Sequence, residues 1–242
     1  MWKSWRKMPS KSEIAIHIPA CVSEGWTAME PDPMRRLFIE QNPQPLAIGT
    51  YFDTPAGYFE PGWHLSPLHT FKMTALYAKA LLETIHENPQ LHRCLIHGVL
   101  TESIGTTIAV TARDKDDAQT LIATLDYGES TLRLMGRFAT MRQILKLPPE
   151  IAYGLLTRAI NPDVPPPQVL LSNVSHLKEW PQMCLGGCAG YSPMALAIGS
   201  KKSHLVVDHR IFDVPDELAL INGLCENVRR MVACETKEES QA

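Results

Sequence analysis

The stretch SHLVVDHRIFDVPDE, Ser203 to Glu217, decides how the chain is read. An apolar run ends in three ionisable residues, Asp208-His209-Arg210, and a further acid, Asp213, stands just before Val214-Pro215. A β-strand gains nothing from three such groups in a row. Its side chains alternate between faces, and burying a charge is costly unless it is paired. The cluster therefore either sits at an exposed strand end or is placed there for chemistry. Upstream, MALAIGS (Met194 to Ser200) and SHLVVDH flank a short polar Lys201-Lys202-Ser203 turn, which predicts a β-hairpin. Downstream, Pro215 opens a helix, with Asp216 and Glu217 at its positive end and Arg229-Arg230 toward its far end. Leu218, Ile221, Leu224, Cys225 and Val228 predict its buried stripe. His209 then stands at a strand end and Asp213 at a helix start, where a scaffold fixes a side chain yet leaves it open to a cleft. A plainer reading stands beside that one. Asp213 caps the helix, Asp208 and Arg210 form an exposed pair, and His209 is a half-buried histidine with no chemical role.

Working outward, Gln168 to Val174 predicts another strand. Phe71 to His86 predicts the strongest early helix, with Phe71, Ala75, Ala78, Leu82 and Ile85 at helical spacing and Asn88-Pro89 ending it. Strands are expected over Glu13–Pro19, Cys94–Leu100, Ile104–Ala112 and Thr120–Tyr127. Helices are expected over Met34–Glu40, Ser130–Leu147 and Glu150–Ile160. The segment from Asn42 to Pro67 reads as irregular strand and loop, and Asn161–Pro167 as a rigid connector. Asp114–Asp117 reads as a solvated turn.

Composition narrows the class. The chain has 242 residues, 45% hydrophobic and 20% charged, with a net charge of −3. No basic excess points to nucleic acid, and no apolar run approaches the roughly 18 residues of a membrane span. The six cysteines are irregularly spaced, and their one close pair, Cys184 and Cys188, has no second pair or histidines at ligand spacing. Reduced thiols in a cytoplasmic protein and no metal site are expected. With no repeat and no low-complexity linker, residues 1–242 read as a single domain.

DHRIFD after an apolar hairpin and before an amphipathic helix resembles the D-H-R-[VI]-x-D-G motif of dihydrolipoamide acyltransferase catalytic domains, the cores of 2-oxoacid dehydrogenase complexes. Chloramphenicol acetyltransferases share that fold and a related H-H-x-x-x-D-G. Asp208, His209, Arg210, Ile211 and Asp213 match in place, whereas Val214 stands where the family has glycine. QVLLSNVS (Gln168 to Ser175) is similar to the family's F-T-[IV]-S-N/S-L-G strand, with Ser172 on its serine. FKMTALYAKALLETIHENPQLH and HGVLTESIGTTIAV are similar to its central helix and following strands.

The resemblance implies an α/β fold, a two-layer sandwich of a mixed sheet flanked by helices. It implies acyl transfer between thiols, with coenzyme A thioester as substrate and no metal. His209 would be the general base, Ser172 the donor to the oxyanion, and Asp213 an architectural residue paired to one of Arg35, Arg36 or Arg210. The site would lie between subunits of a homotrimer or a multiple of trimers, with His209 and Ser172 from different chains. No lipoyl or subunit-binding domain is recognisable, so the acceptor is a small molecule, a carrier protein or a lipoyl domain on another chain. Val214 leaves open a catalytically degenerate homologue that assembles or binds.

Overall fold

The alternating apolar segments close into a mixed sheet. The computed structural model describes residues 26–42, 44–55, 67–96, 98–113, 120–152, 166–174 and 192–239. In chain order the elements are β1 (Trp26–Ala28), α1 (Pro33–Gln41), β2 (Ala47–Asp53), α2 (Pro67–Glu87), β3 (Arg93–Ile96), β4 (Val99–Ser103), β5 (Thr107–Arg113), β6 (Thr120–Asp126), α3 (Leu132–Leu145), β7 (Val169–Asn173), β8 (Met194–Ile198), β9 (Lys202–Asp208) and α4 (Val214–Glu239). The large sheet has the order β2-β9-β8-β7-β5-β6, and a small one the order β1-β4-β3. In the large sheet β8, β7 and β5 run parallel, and the other neighbours are antiparallel.

Register sorts the large sheet's side chains. Val207, Met194, Val169 and Ile108 form one cross-sheet row, and Leu205, Leu196, Leu171 and Val110 the next. Both rows join one buried core with Tyr77, Leu81 and Ile85 of α2 and Leu220, Leu224 and Val228 of α4. The two helices pack on each other, so this face is the sandwich's interior. Each fully buried Leu, Ile or Val there contributes roughly 1.5–3 kcal/mol. The opposite face carries Gly49, Val206, Ala195 and Ala109 in one row and Tyr51, His204, Ala197, Ser172 and Thr111 in the next.

On that second face the His204 ring lies parallel to Tyr51, centroids 4.2 Å apart. It lies directly over Gly49, where an added Cβ would fall inside contact distance of Nε2. His204 is buried, and desolvation pushes its pKa below the usual imidazole value. Gly49→Ala is therefore expected to destabilise the fold by roughly 1–3 kcal/mol, the usual cost of overpacking. Thermal denaturation checks this, and Gly49→Ala with His204→Ala should recover part of the loss.

The predicted hairpin, central helix and mixed sheet are all present. The single strand expected over Cys94–Leu100 is instead two, β3 and β4, paired antiparallel. Gly98, with φ of 80°, sits in the turn between them. The "irregular" segment from Asn42 contains a regular edge strand, β2, paired to β9 over seven residues. In α4, Leu218 is half exposed, and Leu220 takes its place in the stripe. The expected helix over Glu150–Ile160 is helical at 149–152, and the rest lies outside the described residues. So do the Glu13–Pro19 strand, the Asp114–Asp117 turn, most of the Asn161–Pro167 connector and the Cys184–Cys188 pair. Among the described residues no helix is long and apolar enough to cross a membrane.

Candidate active site

Asp208 ends β9 and Val214 begins α4, so residues 209–213 form the whole turn between strand and helix. The turn is fixed at both ends. His209 N donates to Leu46 O at 2.9 Å, which prolongs the β2–β9 pairing by one residue. Ile211 N and Phe212 N donate back to Asp208 O, and both side chains are buried in the core. The histidine backbone is thus clamped between a ladder bond and a packed corner.

Two of the three charges satisfy each other. Arg210 Nη2 donates to Asp208 Oδ2 at 2.6 Å, and Nε reaches both carboxylate oxygens at 3.0 and 3.1 Å. Asp208 Oδ1 also accepts from Arg210 N and Leu46 N, while Arg210 Nη1 donates to Asn42 O. Pairing was expected, but not burial: Asp208 and Arg210 are 5% and 9% exposed. The segment from Asn42 to Leu46 supplies backbone partners at this corner, which makes the burial affordable in polar terms.

Asp213 does cap the helix. Its Oδ1 accepts Asp216 N at 3.0 Å, and Asp216 Oδ2 accepts Asp213 N at 3.2 Å, a reciprocal capping arrangement. Of the three candidate arginines, Arg35 reaches it, with Nη2 3.5 Å from Oδ2. Arg36 pairs with Glu30 instead, and Arg210 with Asp208. Arg35 stands on α1, whose N-cap Asp32 accepts from Met34 N and Arg35 N. Asp216 also lies 3.6 Å from Arg93, and burial, the largest influence, pushes its carboxyl above the usual carboxylate range.

The His209 side chain is 15% exposed, and its Nε2 lies 3.8 Å from Glu217 Oε2. Val214, in the first turn of α4, is 57% exposed. Its helical backbone suits any L-residue, so the loop does not require the family's glycine there. Ser172 Oγ stands 2.7 Å from Thr111 Oγ1 on the sheet's second face. His209 lies in the turn just beyond β9, beside Glu217 of α4. Ser172 lies two strands over, in register with His204, five residues short of His209. At about 3.3 Å per residue and 4.8 Å per strand, the two are roughly 19 Å apart. One chain does not bring them together.

Two features were missed in the sequence. Thr111, beside Ser172, carries no signal of its own. Glu217 does: it lies four residues before Ile221 and seven before Leu224, on the apolar stripe of α4, where an acid is out of place. A cleft of about 360 Å³ between α2, β6 and the turn before α3, lined by Lys79, Glu83 and Tyr127 among others, holds neither His209 nor Ser172. Among the described residues no group of three or more potential ligands could hold a metal ion.

No protein-family model matches the chain, and no curated protein matches it in sequence. Solved structures do match in shape. A probable dihydrolipoamide acetyltransferase from Listeria monocytogenes aligns over 84% of this chain and 94% of its own, with TM-score 0.52 and 12% identity. Dihydrolipoamide acetyltransferase from Azotobacter vinelandii aligns over 85% and 94%, with TM-score 0.52 and 11% identity. A chloramphenicol acetyltransferase aligns over 84% and 99%, with TM-score 0.50 and 12% identity. The chain has the α/β fold that dihydrolipoamide acetyltransferase catalytic cores share with chloramphenicol acetyltransferase.

Proposed function

We propose that the protein is a cytoplasmic acyltransferase that moves an acyl group between coenzyme A and a second thiol, at sites built between copies in a homotrimer. The observation that carries this reading is His209, clamped at the β9–α4 junction of an acyltransferase-like fold and separated from Ser172 by roughly 19 Å within one chain. A second copy supplies the missing partner. The surface beside the turn suits such a neighbour: Met34, Leu37 and Phe38 on α1, Ile48 and Tyr51 on the edge strand β2, and Val214 and Leu218 on α4 are all exposed. Apolar exposure of this kind marks association surfaces.

In the reaction, imidazole takes the proton of the attacking thiol. The thiolate adds to the thioester carbonyl, and the Ser172 hydroxyl of a neighbouring chain donates to the oxyanion. Collapse breaks the original C–S bond, and the imidazolium returns its proton to the departing thiolate. Asp213 shapes the turn through the helix cap and Arg35. The acceptor is a small dithiol or a lipoyl group on another chain. A degenerate, binding-only homologue was suggested by Val214, and its ordinary place in the first helical turn removes the backbone reason for that suggestion.

The test joins mass to activity. Light scattering should give about 81 kDa, three copies of the 27.0 kDa chain, or a multiple of it. Acetyl-coenzyme A with dihydrolipoamide should yield S-acetyl dihydrolipoamide and free coenzyme A. A clean monomer at micromolar concentration, or a stable trimer inert toward all thiol acceptors, defeats the proposal.

A further inference from the structure

His204 takes no part in the mechanism, yet it is a titratable group that is only 4% exposed. Its ring lies flat against Tyr51 and covers Gly49 so closely that an added Cβ would meet Nε2. Both contacts are to β2, the end strand of the large sheet, whose one ladder partner there is β9. None of the seven residues of β2 is buried, whereas six of the seven in β9 are. Backbone pairing and the His204 stack hold the middle of β2. Its ends are tied by Thr54, bonded to Lys201 O and Ser203 Oγ, and by Leu46 N, which donates to Asp208 Oδ1. A segment with so few buried contacts belongs to the low-stability end of a fold, where local opening is frequent.

Among the described residues, few charged or titratable side chains share this face with the ring. On β2 they are Tyr51 and Asp53, and on β9 Lys202, whose Nζ is 2.6 Å from Asp53 Oδ1. In the same cross-sheet row β8 and β7 offer Ala197 and Ser172, neither of them charged. The one carboxylate is thus already paired with Lys202, and a proton on His204 gains no counter-charge. Desolvation accordingly holds its pKa below the ordinary 6.5. We propose that His204 is a proton-sensitive latch on β2: when the ring takes a proton it leaves its seat on Gly49 and Tyr51 for water, and the edge strand loosens from β9. Two features depend on that strand. The β2–β9 pairing runs on into the His209 N–Leu46 O bond that fixes the turn, and Ile48 and Tyr51 are exposed on it. Acid therefore weakens both the clamp on His209 and the surface offered to a neighbouring copy. The latch itself needs neither acyl transfer nor a trimer, and only its effect on assembly rests on that reading. The neutral ring fits the closed strand, so closure is fully favoured above pH 6.5. It loses ground as the pH falls below that value, by at most about tenfold per pH unit for one proton, and the loss levels off once the closed state is itself protonated.

Hydrogen–deuterium exchange on the full-length protein, read by mass spectrometry, tests the latch. Protection of residues 47–53 is corrected for the pH dependence of intrinsic exchange. From about pH 6.5 to about pH 5.5 it should fall several-fold, and by no more than about tenfold, while protection of β5 and β7 in the middle of the sheet stays level. His204→Phe keeps an aromatic ring against Tyr51 and cannot take a proton, so its β2 protection should not change over the same range. His204→Gln is a second side chain that does not titrate, for use if the phenylalanine does not fit over Gly49. Melting curves at about pH 7.5 establish that each variant is folded. A fall of wild-type size in a folded variant overturns the latch, as does wild-type protection that stays level down to about pH 5.5. Light scattering over the same range reads assembly: the mass of the wild type should drop toward the 27.0 kDa of one chain in acid, and that of His204→Phe should hold. A protein that is monomeric at every pH defeats the trimer reading alone, because exchange in β2 reports the latch without assembly.

Discussion

Replacing His209 with alanine is expected to slow acyl transfer at least about 100-fold, the low end for loss of a general acid or base. Binding of the acyl thioester should change little, since the imidazole acts on a proton and does not hold the carrier. Ser172→Ala should cost roughly 10²–10³-fold, the usual range for a missing oxyanion donor. The melting temperature of each variant is read alongside the rate. A merely structural histidine would lower the melting temperature and leave the rate per folded molecule unaltered. The separation of the two residues within one chain adds a sharper readout. Neither variant alone has an intact site. When the two are co-expressed, random assortment in a ring should rebuild about one quarter of the sites from a Ser172 of one chain and a His209 of the next. Activity that returns in the mixture requires a shared site. Activity that stays absent, with mixed trimers demonstrably formed, excludes it.

The largest stability effect is expected at Asp208. Its carboxylate receives three short contacts from the Arg210 guanidinium and two backbone N–H groups, all at a buried corner. Asp208→Ala removes both oxygens from a buried cation and should cost about 3–5 kcal/mol, the range for breaking a buried pair from one side. For a chain of this length that lowers Tm by roughly 6–20 °C. Adding Arg210→Met should restore part of the loss, because the charge left behind is then gone as well. A Tm unchanged in Asp208→Ala would mean that the corner is open to water. The pair also bears on the rate indirectly, since its bonds to Leu46 and Asn42 help hold the backbone that presents His209.

Much of this was legible in the sequence for identifiable reasons. The β8–β9 hairpin, the long helix after Pro215 and the position of His209 between them follow from local signals: apolar alternation, a polar turn, and a proline followed by acids. The capping role of Asp213 follows equally from its place. The burial of Asp208 and Arg210 was not legible, because it depends on Asn42 and Leu46, over 160 residues away. The edge strand β2 hid in a segment rich in proline and glycine, and only its long-range partner β9 makes it regular. Glu217 was assigned to the helix dipole, which explains an acid in a first turn but not a buried one. The separation of Ser172 and His209 is a matter of register, and register becomes visible only when strands are paired.

The pairing of β2 with β9 has a kinetic consequence. Residues 47–53 must wait for partners about 150 positions later in the chain. At a synthesis rate of roughly 5–20 residues per second, that wait is on the order of 10–30 s. Until it ends, β2 has no ladder to join, and the corner that clamps His209 cannot form, since Leu46 continues from the same strand. The surface offered to a neighbouring copy by Ile48 and Tyr51 is therefore assembled only after Asp208 has emerged. Nascent chains that have not yet reached β9 therefore cannot pair through this edge. Slow closure of so distant a contact should also make refolding, and not association, the step that limits assembly at high protein concentration.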